Sequence, residues 1–139
     1  GGQAETVNGV ADGDGCPDEL PPEVLRFRGV IEGIRFDNNR ATIRDESRPL
    51  LDQAAATLRS HEALRLEISG HTDDRGKREK NLALSLARAD AVKAYLVAQG
   101  VAAERLRSLG VGPDEPIADN KTKAGQAANR RIEFRIFHD

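Results

Sequence analysis

Apolar residues alternate strictly between positions 63 and 69. Leu64, Leu66 and Ile68 fall on one side, and Arg65, Glu67 and Ser69 on the other. That is the two-residue period of a strand with one covered face. Further along the chain the period changes. Leu82, Leu86, Ala89, Val92 and Leu96 recur at intervals of four, three, three and four, which predicts a helix over 80–98 with these residues as its buried stripe. Gly100 stands where a helix-ending glycine belongs. The intervening residues 70–76 are polar. A half-covered strand that runs through a polar loop into an amphipathic helix is a unit of α/β folds, and the edge where strand gives way to helix is where open α/β sheets usually take ligands.

The other elements follow from the same periods. Residues 26–36 carry Phe27, Val30, Ile31, Ile34 and Phe36, an extended stretch with an irregularity at Gly29 or Gly33. Asp37-Asn38-Asn39 signals a turn. A helix is expected to begin near residues 45–47 with Pro49 in its first turn, and Leu51, Ala55 and Leu58 form its apolar stripe. A short strand is expected over 105–110, a loop marked by Pro113 and Pro116 over 112–122, a short helical piece over 123–128 and a last strand over 131–137. The order β-α-β-α-β-(α)-β predicts an α/β sandwich, a mixed sheet with helices packed on one face. Right-handed crossovers would join parallel neighbours, and spacing leaves the direction of the last strand open.

A chain of 139 residues suits one domain with a tail. Residues 1–22 are rich in Gly, Asp, Glu and Pro and read as a flexible linker, leaving 23–139 as the domain. A formal net charge of −2, no Trp and a single Tyr argue against a nucleic-acid partner. Cys16 is the one cysteine, so no intrachain disulfide forms. No apolar run is long enough to cross a bilayer and no signal peptide is visible, so membrane contact would come only through a missing parent module. In the linker, Asp12, Asp14 and Asp18 alternate with Gly and resemble calcium-binding repeats of the thrombospondin type. Calcium needs about six to eight oxygens, so one short copy reads better as a solvated linker than as a metal site. No cofactor is expected.

Two residues stand out as a ligand pair. Asp73 lies in the polar loop after a strand and suits an ammonium, although a loop Asp also serves as a turn or cap. Arg88 lies beside the apolar stripe of the long helix, and Asn81, Ser85 and Arg88, at i, i+4 and i+7, share its polar flank. A guanidinium there suits a carboxylate through its planar fork, although it also reads as a solvated helix arginine. An acid and a guanidinium along one groove would together hold an amino-acid-like zwitterion with both charges matched.

Gly70-His71-Thr72-Asp73, then Gly76, then Asn81-Leu82-Ala83-Leu84-Ser85-Leu86-Ala87-Arg88-Ala89, resembles the signature of the OmpA C-terminal domain, the OmpA/MotB/Pal type. Ile34-Arg35-Phe36-Asp37-Asn38-Asn39, Gly110-Val111-Gly112, Pro116-Ile117-Ala118-Asp119-Asn120 and Asn129-Arg130-Arg131-Ile132-Glu133-Phe134 continue the pattern in order, over about residues 28–138. The resemblance implies a domain that binds peptidoglycan non-covalently through the diaminopimelate of the stem peptide. It gives Asp73 the amino group and Arg88 a carboxylate, sets Asn39 and Asn81 near the ligand, with Thr72 and Phe36 as wall, and Arg130 in a supporting or rim role. It also implies a periplasmic location at the outer membrane. Gln126 departs from the family, which often has Arg there.

Two other function classes meet the same residues. A cell-wall hydrolase would need a catalytic set. His71-x-Asp73 is one metal-type pair, but His61 and His138 stand at no metal-ligand spacing. Ser85 lacks a Gly-x-Ser-x-Gly elbow, and Cys16 has no neighbouring base. A calcium-binding module would rest on the linker alone. The expectation is a binding domain and not an enzyme.

Overall fold

The computed structural model describes residues 22–37 and 39–138. Asp12, Asp14, Asp18 and Cys16, and with them the expected flexible linker, lie outside the described residues. The chain runs α1 (Pro22–Leu25), β1 (Gly29–Val30), a 3-10 turn (Asp45–Ser47), α2 (Arg48–Ser60), β2 (Leu64–His71), α3 (Arg78–Ala98), a second 3-10 turn (Ala103–Arg105), β3 (Leu106–Gly112), α4 (Lys123–Asn129) and β4 (Arg131–His138). The sheet order is β1-β4-β2-β3. β2 and β3 are parallel, as a helical crossover requires. β4 enters antiparallel between β1 and β2, pairing Leu64 with His138 through to His71 with Arg131. The sheet is therefore mixed, with the last strand in the middle.

Leu64, Leu66 and Ile68 face the helices with Ile132 and Phe134, and Leu51, Ala55, Leu58, Ala89, Val92 and Leu96 close over them. Each large side chain buried this way contributes about 1.5–3 kcal/mol before conformational entropy is counted. Along β2 burial alternates until the strand ends at His71, two residues beyond the alternating sequence. Pro49 sits in the first turn of α2, where its missing N–H costs no bond.

Two expectations are corrected. Of the extended stretch 26–36, only Gly29–Val30 pairs as a strand, and Phe36 makes an isolated bridge to Ile43. Gly29, which opens this strand and pairs with Phe134, and Gly33 beyond it both have positive φ, the irregularities expected there. On α3, Leu86 is not buried but 42% exposed, and the inward residue of that turn is Ser85 at 0%. The reason lies on the sheet. A Cβ on Gly70 would meet the Ser85 carbonyl oxygen at 2.1 Å, and one on Gly110 would meet Leu86 Cβ at 2.6 Å. With glycines on both paired strands, the first half of α3 lies nearly backbone to backbone on the sheet. Over Gly70 only a small residue fits, and Leu86, whose Cβ and N lie over Gly110, keeps its side chain part-exposed. Ser85 Oγ donates to the Leu82 carbonyl at 2.9 Å and accepts from Gly112 N–H at 3.0 Å, pinning helix to strand.

Candidate functional site

The close seating of α3 brings its N-terminal half against the loop that leaves β2. Along the same flank of that helix, the chain between β1 and α2 folds back as a small hairpin. Asp37 N–H bonds the Thr42 carbonyl, Arg40 N–H bonds the Asp37 carbonyl, and Asn39 takes positive φ at its tip, a conformation Asn tolerates better than most residues. Between hairpin, loop and helix lies a cavity of about 820 Å³. Asp73, Arg88, Asn39, Asn81, Thr72, Phe36 and Arg130 all line it. Residues from positions 36 to 130 thus converge on one concave surface.

Asp73 is 4% exposed. Its Oδ1 accepts the Arg75 backbone N–H at 3.0 Å. Its Oδ2 accepts Arg75 Nε at 3.2 Å, the second Arg75 donor at 3.0 Å and Arg130 at 2.6 Å. Burial alone would raise the pKa of this carboxyl. The guanidinium bonds from Arg75 and then Arg130, with the backbone bond, outweigh burial and hold it below its usual 3.8. Asp73 is an anion at any physiological pH.

Arg88 is half-buried and fixed by the hairpin. Its Nε donates to the Arg40 carbonyl at 2.8 Å, one terminal nitrogen reaches the Asp37 carbonyl at 3.3 Å, and its guanidinium carbon lies 4.9 Å from the Phe36 ring centre. Burial first, and repulsion from Arg130 second, lower its pKa. It still carries its charge at neutral pH, as arginine does in proteins. Among the described residues no carboxylate pairs with it. Two of its five N–H groups are engaged, so the fork retains donors for an anion.

The remaining wall is placed by local bonds. Asn81 donates to the Arg75 carbonyl at 2.8 Å and holds the loop to α3. Buried Thr72 donates from Oγ1 to the Asp73 carbonyl at 2.8 Å. Arg130 is aimed by its neighbour Asn129. That side chain is fully buried, accepts from Ile117 and Ala118 N–H at 2.7 and 2.9 Å, and donates to the Ala118 carbonyl and Asn120 Oδ1. Gln126 donates to the Asn120 carbonyl and stays in this loop network.

Sequence reading missed Arg75, Arg35, Arg44 and Glu46, which also line the cavity, and the clamp by Asn129. Arg75 had a signal: it stands two residues after Asp73, within reach of a local pair. Ser85, expected on the polar flank, is instead packed under the helix. Among the described residues no group of three or more His, Cys, Asp or Glu could hold a metal, and no helix is long and apolar enough to cross a membrane.

The whole sequence from residue 35 to 130, hairpin to Arg130, matches the OmpA family. The chain belongs to that family. Outer membrane protein Omp38 of Acinetobacter baumannii is 46% identical over 113 residues, covering 81% of this chain and 32% of that protein. Peptidoglycan-binding protein ArfA of Mycobacterium tuberculosis is 39% identical over 101 residues, covering 73% of this chain and 31% of ArfA. Among solved structures, the peptidoglycan-associated lipoprotein of Burkholderia pseudomallei superposes with a TM-score of 0.72 at 34% identity, over 88% of this chain and all of that one. This OmpA-family domain therefore spans about a third of the length of the two curated relatives, and the whole of the lipoprotein chain.

Proposed function

We propose that this OmpA-family domain binds peptidoglycan without covalent chemistry, through the diaminopimelate of the stem peptide. In that role it anchors an outer membrane, or a protein of that membrane, to the cell wall from the periplasmic side. The observation that carries the reading is the pairing of opposite charges in one cavity. Asp73 is a buried anion suited to an ammonium, and Arg88 is a half-buried cation that lacks a carboxylate partner among the described residues. A zwitterionic amino-acid end supplies both complements, and a ligand lacking the carboxylate leaves the half-buried Arg88 fork unmatched. Thr72, Phe36, Asn39 and Asn81 would form the wall and Arg130 the support. The names of ArfA and of the Burkholderia lipoprotein point to the same polymer. Nothing in this role requires hydrolysis.

Co-sedimentation with purified sacculi tests the reading. Asp73→Ala and Arg88→Ala should each weaken binding by about 30-fold or more, the scale of removing one partner of a desolvated charge pair. Arg88→Lys keeps the charge but loses the fork, and should fall between. Circular dichroism should report folded domains throughout. Retention of wild-type binding by both alanine variants would remove the proposal.

A further inference from the structure

The loop that carries Asp73 also carries the cation that covers it. An ionised carboxylate offers about four lone-pair sites on its two oxygens. Asp73 already receives four donors: Arg75 N–H, Arg75 Nε, a terminal Arg75 nitrogen and Arg130. Three of the four fall on Oδ2, more than its two lone pairs, and only the Arg75 N–H falls on Oδ1, so an ammonium that is to sit on Oδ2 must displace a resident donor. The four differ in how they are held. The Arg75 backbone is fixed by its own bond to Oδ1 and by Asn81 on its carbonyl. Arg130 follows the clamped Asn129 and leads into β4. The Arg75 side chain is 62% exposed, and every hydrogen bond it makes is to Asp73. It can swing into water without moving the loop, and it vacates two sites on Oδ2.

We propose that Arg75 is a displaceable placeholder that occupies the ammonium seat on Asp73 in the empty domain, so that ligand binding is an exchange of a guanidinium for the ligand's amino group. This rests on the ammonium reading of Asp73. The exchange makes Arg75 a specificity determinant. A ligand with an amino group recovers the ion pair that it breaks, whereas an amine-free dicarboxylate gains nothing by displacing Arg75 and is attracted by its charge. It also lowers affinity, because the ion pair between the exposed Arg75 and the buried Asp73 must open before the seat is filled.

NMR titration with free meso-diaminopimelate, and with pimelate as the same seven-carbon dicarboxylate without amino groups, tests the exchange. The backbone bond from residue 75 and the Asn81 contact survive in Arg75→Gln and Arg75→Ala, so both variants keep the loop. Diaminopimelate should bind both variants about 2- to 5-fold tighter than the wild type, the range expected when a competing ion pair with an exposed guanidinium is removed. Pimelate should bind them equally or more weakly. In the wild type, the Arg75 Nε–H resonance should move on adding diaminopimelate and stay on adding pimelate. Diaminopimelate binding that depends on Asp73, shown by loss in Asp73→Asn, yet is unchanged or weaker in both Arg75 variants, would overturn the exchange alone. Binding that persists in Asp73→Asn would overturn the ammonium reading and the exchange with it.

Discussion

His71 is the group through which pH should act on this domain most directly. It is buried, with Nε2 at 2.9 Å from Ser69 Oγ and no partner for Nδ1 among the described residues. Burial first, and Arg131 second, push its pKa below the usual 6.5, against smaller upward pulls from Glu133 and Glu115. A folded-state pKa below the unfolded value means that its stabilisation is complete above about 6.5 and is lost as pH falls through the lowered value. Asp73 has the same sign in a lower window, below its usual 3.8. Thermal melts taken from about pH 7.5 down to about pH 5 should therefore show a falling Tm, and His71→Asn should flatten that fall. An equal pH dependence in the variant would assign the effect elsewhere. At this scale the sequence was legible where a residue's role follows from its own element. Asp73 is visible as an acid after a strand, and Arg88 as a cation beside an apolar stripe. Arg130 reaches Asp73 across 57 positions, and no local pattern carries such a distance. Arg75 was legible in principle, as a cation two residues from the acid, but a polar loop offers several such pairs and only the fold selects one.

α3 shows what periodicity reads and what it omits. The C-terminal half of its stripe, Ala89, Val92 and Leu96, is buried as spacing predicts. In the N-terminal half the glycines beneath let the helix backbone close on the sheet, so Ser85 and not Leu86 is buried, and glycine leaves no mark in an apolar pattern. Gly70 and Gly110 are paired across β2 and β3, and together they determine how close the helix comes. The distance matters for the site, because the same half of α3 carries Asn81 and Arg88. Gly70→Ala should force the helix off the sheet, since the clash is with backbone and not with a movable side-chain end. The expected cost is about 2–4 kcal/mol, at the upper end for overpacking, and it should appear as a drop in Tm on the order of 10 °C. A Tm within experimental error of the wild type would mean that the helix can ride higher at little cost. The short β1 has the opposite lesson. Its apolar spacing predicts one extended stretch, but pairing is limited to Gly29 and Val30, and Gly33 takes positive φ three residues further on.

For the whole molecule, net charge is a poor guide to the ligand. The chain totals −2, yet the cavity is lined by Arg35, Arg44, Arg75, Arg88 and Arg130 against Asp73 and Glu46. Low-dielectric walls focus that local excess of positive charge on the carboxylates of the proposed ligand, whatever the sum over the distant surface. The depth of the charges then sets the salt response. Asp73 and Arg88 are wholly or half-buried and are screened little. The exposed rim arginines are screened strongly when the Debye length falls from about 10 Å at 0.1 M salt to about 3 Å at 1 M. Sacculus binding by the isolated domain should therefore weaken several-fold over that range without vanishing. An anchor works in many copies on one polymer, and linking two copies makes the second contact intramolecular at an effective concentration near millimolar for a short flexible linker. Two copies of this domain joined in tandem should remain on sacculi at salt concentrations that release the single domain. Cavity disruption by Arg88→Ala in one of the two copies should restore single-domain behaviour. If single and tandem forms left the wall at the same salt concentration, one contact at a time would be all that the geometry permits, and tethering strength would have to come from each cavity alone.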